Sequence, residues 1–223
     1  MDSDRIAEHS LFATKLLSID FPESAPLNDD LYRLLTDEKF KDGFNAHPDQ
    51  CNVLNLEPTQ PCLATLRKMF VGGLERYLRS EDVRGEYTAS VVLFPNIASQ
   101  HEFTVVHNHN ADVVGIYYVR TAESHVEPSV QIAGESYDYF DQDDGALLLH
   151  DPRFNANLGY LKANDYVKVF PRPGQMLLFP GYLWHSVLPH RGTFRRLSIG
   201  ANFRLSESNT SAEYRVSLNV AKA

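Results

Sequence analysis

The stretch Pro173-Gly174-Gln175-Met176-Leu177-Leu178-Phe179-Pro180-Gly181-Tyr182-Leu183-Trp184-His185-Ser186-Val187-Leu188-Pro189 decides how the rest of the chain is read. A Pro-Gly turn leads into an apolar run too short for a helix. A second Pro-Gly turn follows, and then a run carrying His185 beside Trp184 and close to Val187. Short apolar runs bounded by turn residues read as buried strands. The same texture extends outward. Runs rich in Val, Ile, Tyr and Phe predict strands near 89–94, 103–108, 113–120, 145–150, 166–170, 175–179, 184–188, 196–204 and 214–220. Helical periodicity is nearly absent between them. A mainly β (α+β) sandwich or jelly roll is therefore expected, not a doubly wound sheet.

The first 85 residues read differently, as helix and loop. Asn28-Asp29-Asp30 can cap a short helix through Leu31, Leu34 and Leu35. A second helix should start at Pro61, with Leu63, Leu66, Phe70, Leu74 and Tyr77/Leu78 at helical spacing, weakened by Gly72-Gly73. The chain reads as one domain over 1–223. Residues 1–87 form a helical support packed on one sheet, and 88–223 form the β-rich core.

Composition narrows the function classes. The 223 residues are 43% hydrophobic and 22% charged, with a net charge of −8. That is a globular balance, and an acidic one suits neither nucleic acid nor an anionic membrane. Cys51 and Cys62 make no disulfide scaffold. Met1 to Arg5 is polar and acidic with no apolar signal core, and no apolar run nears the roughly 20 residues that span a bilayer. The expected location is the cytoplasm.

Three histidines stand in informative places. His107 and His109 close the β-rich run Phe103-Thr104-Val105-Val106-His107-Asn108-His109. Residues two apart on a strand share a face, so both imidazoles could reach one metal. Taken alone, the pair also reads as two surface histidines near a turn. His185 is the third. Eleven residues after it begins Arg196-Leu197-Ser198-Ile199-Gly200-Ala201-Asn202-Phe203. Arg196, Ser198, Gly200 and Asn202 share one face. An inward Arg needs an anion, because an unpaired buried guanidinium is costly.

Together these pieces resemble the Fe(II)/2-oxoglutarate-dependent dioxygenases. The likeness is to a subgroup of small oxygenases whose ordered pattern is matched here by His107/His109, Gly115-Ile116-Tyr117-Tyr118, Asp151-Pro152-Arg153, Pro171-Arg172-Pro173-Gly174, His185 and Arg196/Ser198, with Asn96 upstream. It covers roughly residues 89–205. The resemblance implies a double-stranded β-helix (a cupin-like jelly roll). It also implies three protein ligands on one face of Fe(II), with the remaining positions open to 2-oxoglutarate and O2. Arg196 would pair with the far carboxylate of 2-oxoglutarate, helped by Ser198 and by Asn96 and Asn202. Tyr117 or Tyr118 would add a phenol, but adjacent strand residues cannot both face in. The implied reaction hydroxylates a C–H bond and releases succinate and CO2. Trp184 would form a pocket wall near the substrate.

The usual ligand motif is His-x-Asp, and here His109 holds the carboxylate position. A three-histidine site (His107, His109, His185) is preferred. Asp112 as the carboxylate, or His109 as a contact to co-substrate or substrate, are the other readings. Imidazoles also suit Zn, Ni or Cu. Two further function classes stay open: a cupin-like metalloprotein without 2-oxoglutarate, and a jelly-roll binding protein without enzyme activity. Asp151 and Arg153 read as a turn pair and His150 as a rim residue, while His101, His125 and His190 fall in loops with no visible partner.

The charge is uneven. Glu123, Glu127, Glu135, Asp138, Asp141, Asp143 and Asp144 lie between Thr121 and Asp144 with no Lys or Arg among them. The remaining 22 of 29 acids nearly balance the 21 bases. This segment is a solvated acidic loop or, more sharply, a lid favouring a cationic substrate, with Tyr137, Tyr139 and Phe140 as apolar contacts. The expected partner is a small-molecule or peptide substrate. Exposed sheet edges would also allow a homodimer.

Overall fold

The computed structural model describes residues 13–37, 52–83, 85–122, 130–132, 143–153, 166–206 and 215–220. In chain order the elements are β1 (Leu17–Asp20), α1 (Ala25–Leu35), a 3-10 helix (Val53–Thr59), α2 (Pro61–Ser80), β2 (Gly85–Ala98), β3 (Thr104–His107), β4 (Val113–Arg120) and β5 (Val130–Ile132). They continue with β6 (Leu147–His150), β7 (Tyr166–Val169), β8 (Gln175–Pro180), β9 (His185–Val187), β10 (Arg196–Ser206) and β11 (Arg215–Val220). All nine expected strands are present. Two more, β1 and β5, were not expected. Both are only three or four residues long, too short for a period-2 pattern to show.

Two antiparallel sheets face each other. One runs β1-β8-β4-β10-β2-β11 and the other β3-β9-β6-β7-β5. This is the expected jelly roll. The first sheet is covered on both sides, which explains why β4 is apolar and buried from Val113 to Val119. Val113, Tyr117 and Val119 face the helices, against Leu66, Phe70 and Leu74. Val114, Ile116 and Tyr118 face the second sheet, against Leu147, Leu149 and Val169.

The helices sit where periodicity placed them, with one correction. α1 starts at Ala25 with Ser24 as its N-cap residue and a proline in its first turn, not at the Asn28-Asp29-Asp30 run. Pro26 lacks the N–H that a first turn leaves unused, so the helix can begin earlier. Asn28 is instead buried, and its Oδ1 accepts a 2.7 Å hydrogen bond from the Tyr117 hydroxyl.

α2 lies close on the sheet because two glycines permit it. A Cβ on Gly73 would stand 2.9 Å from Met176 Sδ, and one on Gly115 would stand 2.9 Å from Phe70 Cε1. A Gly115→Val chain should therefore lose roughly 1–3 kcal/mol of stability through overpacking. Urea titration followed by circular dichroism measures this, and an unchanged midpoint would contradict the packing.

Candidate metal and anion site

The open end of the sandwich holds a pocket lined by His107, His109, His185, Tyr118, Arg196 and Ser198, with Phe94, Asn96, Thr104, Val114, Ile116, Val187 and Gly200 completing it. The two sheets contribute different chemistry. β3 and β9 bring His107 and His185 directly opposite each other, as cross-strand partners. β10 brings Arg196 and Ser198 from the other sheet.

His107 reaches the pocket through a β-bulge. Thr104 pairs with Val187 and His107 with His185, so three steps on β3 oppose two on β9. The extra residue re-aims the strand, leaving Val105 and Val106 exposed while His107 turns in. His109 is not on the strand at all, as the two-residue spacing had suggested. It lies in the loop beyond β3, where its backbone N–H donates to the Gly181 carbonyl at 3.0 Å.

One nitrogen from each of the three rings falls within 4.8 Å of the others. Ring centroids are 4.3 Å apart for His107–His185 and 5.1 Å for His109–His185, the latter pair nearly parallel. Two of the rings are oriented identically. His107 Nδ1 donates to the Val105 carbonyl at 2.8 Å, and His185 Nδ1 to the Leu183 carbonyl at 2.9 Å. A carbonyl only accepts, so Nδ1 carries the proton and Nε2 keeps a lone pair for a metal. Phe94 stacks on His109 at 5.9 Å. The donor set fits a borderline divalent metal such as ferrous iron.

Two of these rings, His185 and His109, are built to stay uncharged. Burial holds His185 down at about 3, with the neighbouring imidazoles adding to the effect and the Leu183 carbonyl opposing it. Burial and His107 hold His109 at about 4, against a contact from Asn202. In the unfolded chain both titrate near 6.5. Below that value the unfolded chain binds more protons, so stability falls as pH falls. Metal-free protein should melt roughly 5–10 °C lower at pH 5 than at pH 7. Thermal melts across this range test it, and a flat profile would contradict neutral buried rings.

Arg196 is 4% exposed. Burial lowers its pKa, with Tyr118 and Asp144 opposing. Its Nε and the Tyr118 hydroxyl have no hydrogen-bond partner among the described residues. Burial raises the Tyr118 phenol above its usual range, so it remains a donor. A buried guanidinium whose Nε and a buried hydroxyl both lack a hydrogen-bond partner among the described residues, at one pocket, fit a carboxylate.

The other expected site residues divide clearly. Ser198 lines the pocket, and Asn96, its exposed cross-strand partner, stands at the mouth. Asn202 follows on the same face, beside His109. Tyr117 does not join them, because it points into the helix-side core and bonds Asn28. Trp184 is not a pocket wall. It is 38% exposed outside the lining, at the turn where its carbonyl accepts from the His150 N–H. Tyr137, Tyr139 and most of the acidic segment lie outside the described residues. Asp112 is not in the histidine cluster, and its Oδ2 accepts the Leu205 N–H at 2.6 Å instead. Asp151 does pair with Arg153, which caps a turn. Phe94, Thr104 and Val187 were not anticipated. Phe94 sits two residues before Asn96 on one strand face, which was the available signal.

Residues 92–202 match a family model described as "Putative 2OG-Fe(II) oxygenase". The fold is similar to that of HygX from Streptomyces hygroscopicus, solved with iron bound, at 13% identity, TM-score 0.51, and coverage of 86% of this chain and 82% of that one. It is also similar to a prolyl hydroxylase from Trichoplax adhaerens in complex with a hypoxia inducible factor peptide fragment, at 14% identity, TM-score 0.50, and coverage of 85% and 83%. No curated protein matches in sequence.

Proposed function

Because the chain is a member of the 2OG-Fe(II) oxygenase superfamily, we propose that it hydroxylates a C–H bond of a small-molecule or peptide substrate, converting 2-oxoglutarate and dioxygen to succinate and CO2. One observation carries this reading. A three-imidazole ligand set and a buried guanidinium whose Nε has no partner among the described residues share a single pocket.

His107, His109 and His185 would hold ferrous iron, which supplies the redox chemistry when bound. Arg196 and Ser198 would receive the far carboxylate of 2-oxoglutarate, and the Tyr118 hydroxyl would donate to it. Val114, Ile116 and Val187 keep the pocket apolar, which strengthens the charge pairing. Asn96 and Thr104, at the mouth side of the lining, are placed to meet the substrate. Three neutral ligands leave a divalent metal its full charge, which favours a dianionic co-substrate.

The test is succinate release from 2-oxoglutarate in air by protein loaded with Fe(II). Slow release without added substrate is expected. No release, together with no binding of 2-oxoglutarate by anaerobic calorimetry, would overturn the reading. A chain that instead held zinc, nickel or copper and ignored 2-oxoglutarate would be a metalloprotein of other chemistry, which the all-nitrogen donor set also suits.

A further inference from the structure

Besides His185, one other described imidazole is fully buried, and it takes no part in the chemistry proposed above. His190 is wholly buried. Its Nδ1 stands 3.1 Å from Asp144 Oδ1, and its Nε2 stands 2.8 Å from the Phe194 carbonyl. The ring also packs edge-on against Phe194 at 4.8 Å. The same Asp144 oxygen accepts the Arg191 N–H at 2.8 Å.

These bonds tie two turns together. The Gly145 N–H donates to the Pro189 carbonyl, the Leu188 N–H to Ala146, and the His190 N–H to Glu102. The tie fixes Gly145, whose φ is +61°. A Cβ there would stand 3.2 Å from Arg196 Nε and 3.3 Å from its Cδ. The backbone of this turn is therefore a stop against the stem of the guanidinium. Asp144 also adds a negative charge that favours the buried cation.

We propose that the His190–Asp144 pair is a positioning device for Arg196. It clamps the Gly145 turn against the guanidinium stem and so fixes where the pocket receives the far carboxylate of a 2-oxo dicarboxylic acid. His190 and Asp144 act through Arg196 and touch no ligand themselves. The inference rests on the role given to Arg196 above. A long flexible arginine needs such a stop, because a small displacement of a clamp costs much of its binding and orienting power.

The test compares two ligands on Fe(II)-loaded protein by anaerobic calorimetry. One is 2-oxoglutarate. The other is 2-oxopentanoate, which has the same carbon chain without the far carboxylate. His190→Gln should weaken 2-oxoglutarate roughly tenfold, leaving 2-oxopentanoate and metal affinity unchanged. Gly145→Ala keeps the pair but displaces the contact it controls, and should show the same selective loss in a chain that retains His190. Neither change should weaken 2-oxoglutarate further in an Arg196→Met background. Equal losses for both ligands, or losses that persist without Arg196, would mean that the pair only supports the fold. Wild-type protein that binds both acids equally would remove the role of Arg196 itself. A wild-type preference for 2-oxoglutarate that survives in the variants would remove only the positioning role.

Discussion

Arg196→Met should weaken 2-oxoglutarate binding by roughly 100-fold or more, the cost of removing one partner of a buried, hydrogen-bonded charge pair. The same substitution should not lower the melting temperature of the ligand-free protein. Arg196 is a desolvated cation whose Nε has no partner among the described residues. An apolar side chain of similar length relieves that cost, and such replacements are often neutral or stabilising. The two measurements therefore separate, with affinity lost while stability holds or rises. An arginine that served the fold alone would give the reverse. Calorimetry and thermal melting on one preparation decide between them.

His185→Ala should reduce metal affinity by more than about 100-fold, since even supporting contacts to metal ligands are worth 10–100-fold. The ring forms one corner of a triangle with His107 and His109, 4.3 Å and 5.1 Å from them, and its orientation is fixed by the Leu183 carbonyl. Asp112→Asn should leave metal affinity unchanged, because that carboxylate fastens Leu205 and is not part of the cluster. Equilibrium dialysis with metal analysis measures both. Full occupancy in His185→Ala, or loss in Asp112→Asn, would move the ligand set to the carboxylate alternative.

The strands and α2 were legible because burial imposes a period on the sequence. β10 shows this best. Arg196, Ser198 and Gly200 alternate with Leu197, Ile199 and Ala201, and the two sets do face opposite ways in the fold. β4 shows the limit. A strand buried on both faces carries no polar side, so nothing in Tyr117-Tyr118 says which phenol enters the pocket. Packing decides it, through Asn28 on a helix 89 residues away. The convergence of the histidines was read correctly for a partly wrong reason. A shared strand face was expected, whereas a bulge turns His107 inward and a loop delivers His109. Such irregularities leave almost no trace in residue identity. His190 looked like a loop histidine because its burial comes from segments distant in sequence, including Asp144, 46 residues away.

The placement of the pocket between two sheets has a mechanical consequence. His107 and His185 belong to the five-stranded sheet, and Arg196 and Ser198 to the six-stranded one. A co-substrate held at both ends would act as a removable cross-brace between the lips of the sandwich. Prying the sheets apart at that end would then require breaking the ligand's own bonds. Amide hydrogen exchange should slow first in β3, β9 and the start of β10, leaving α2 unaffected at the far face. The protein would be loosest at the moment it must admit a new co-substrate and stiffest once it is ready to react.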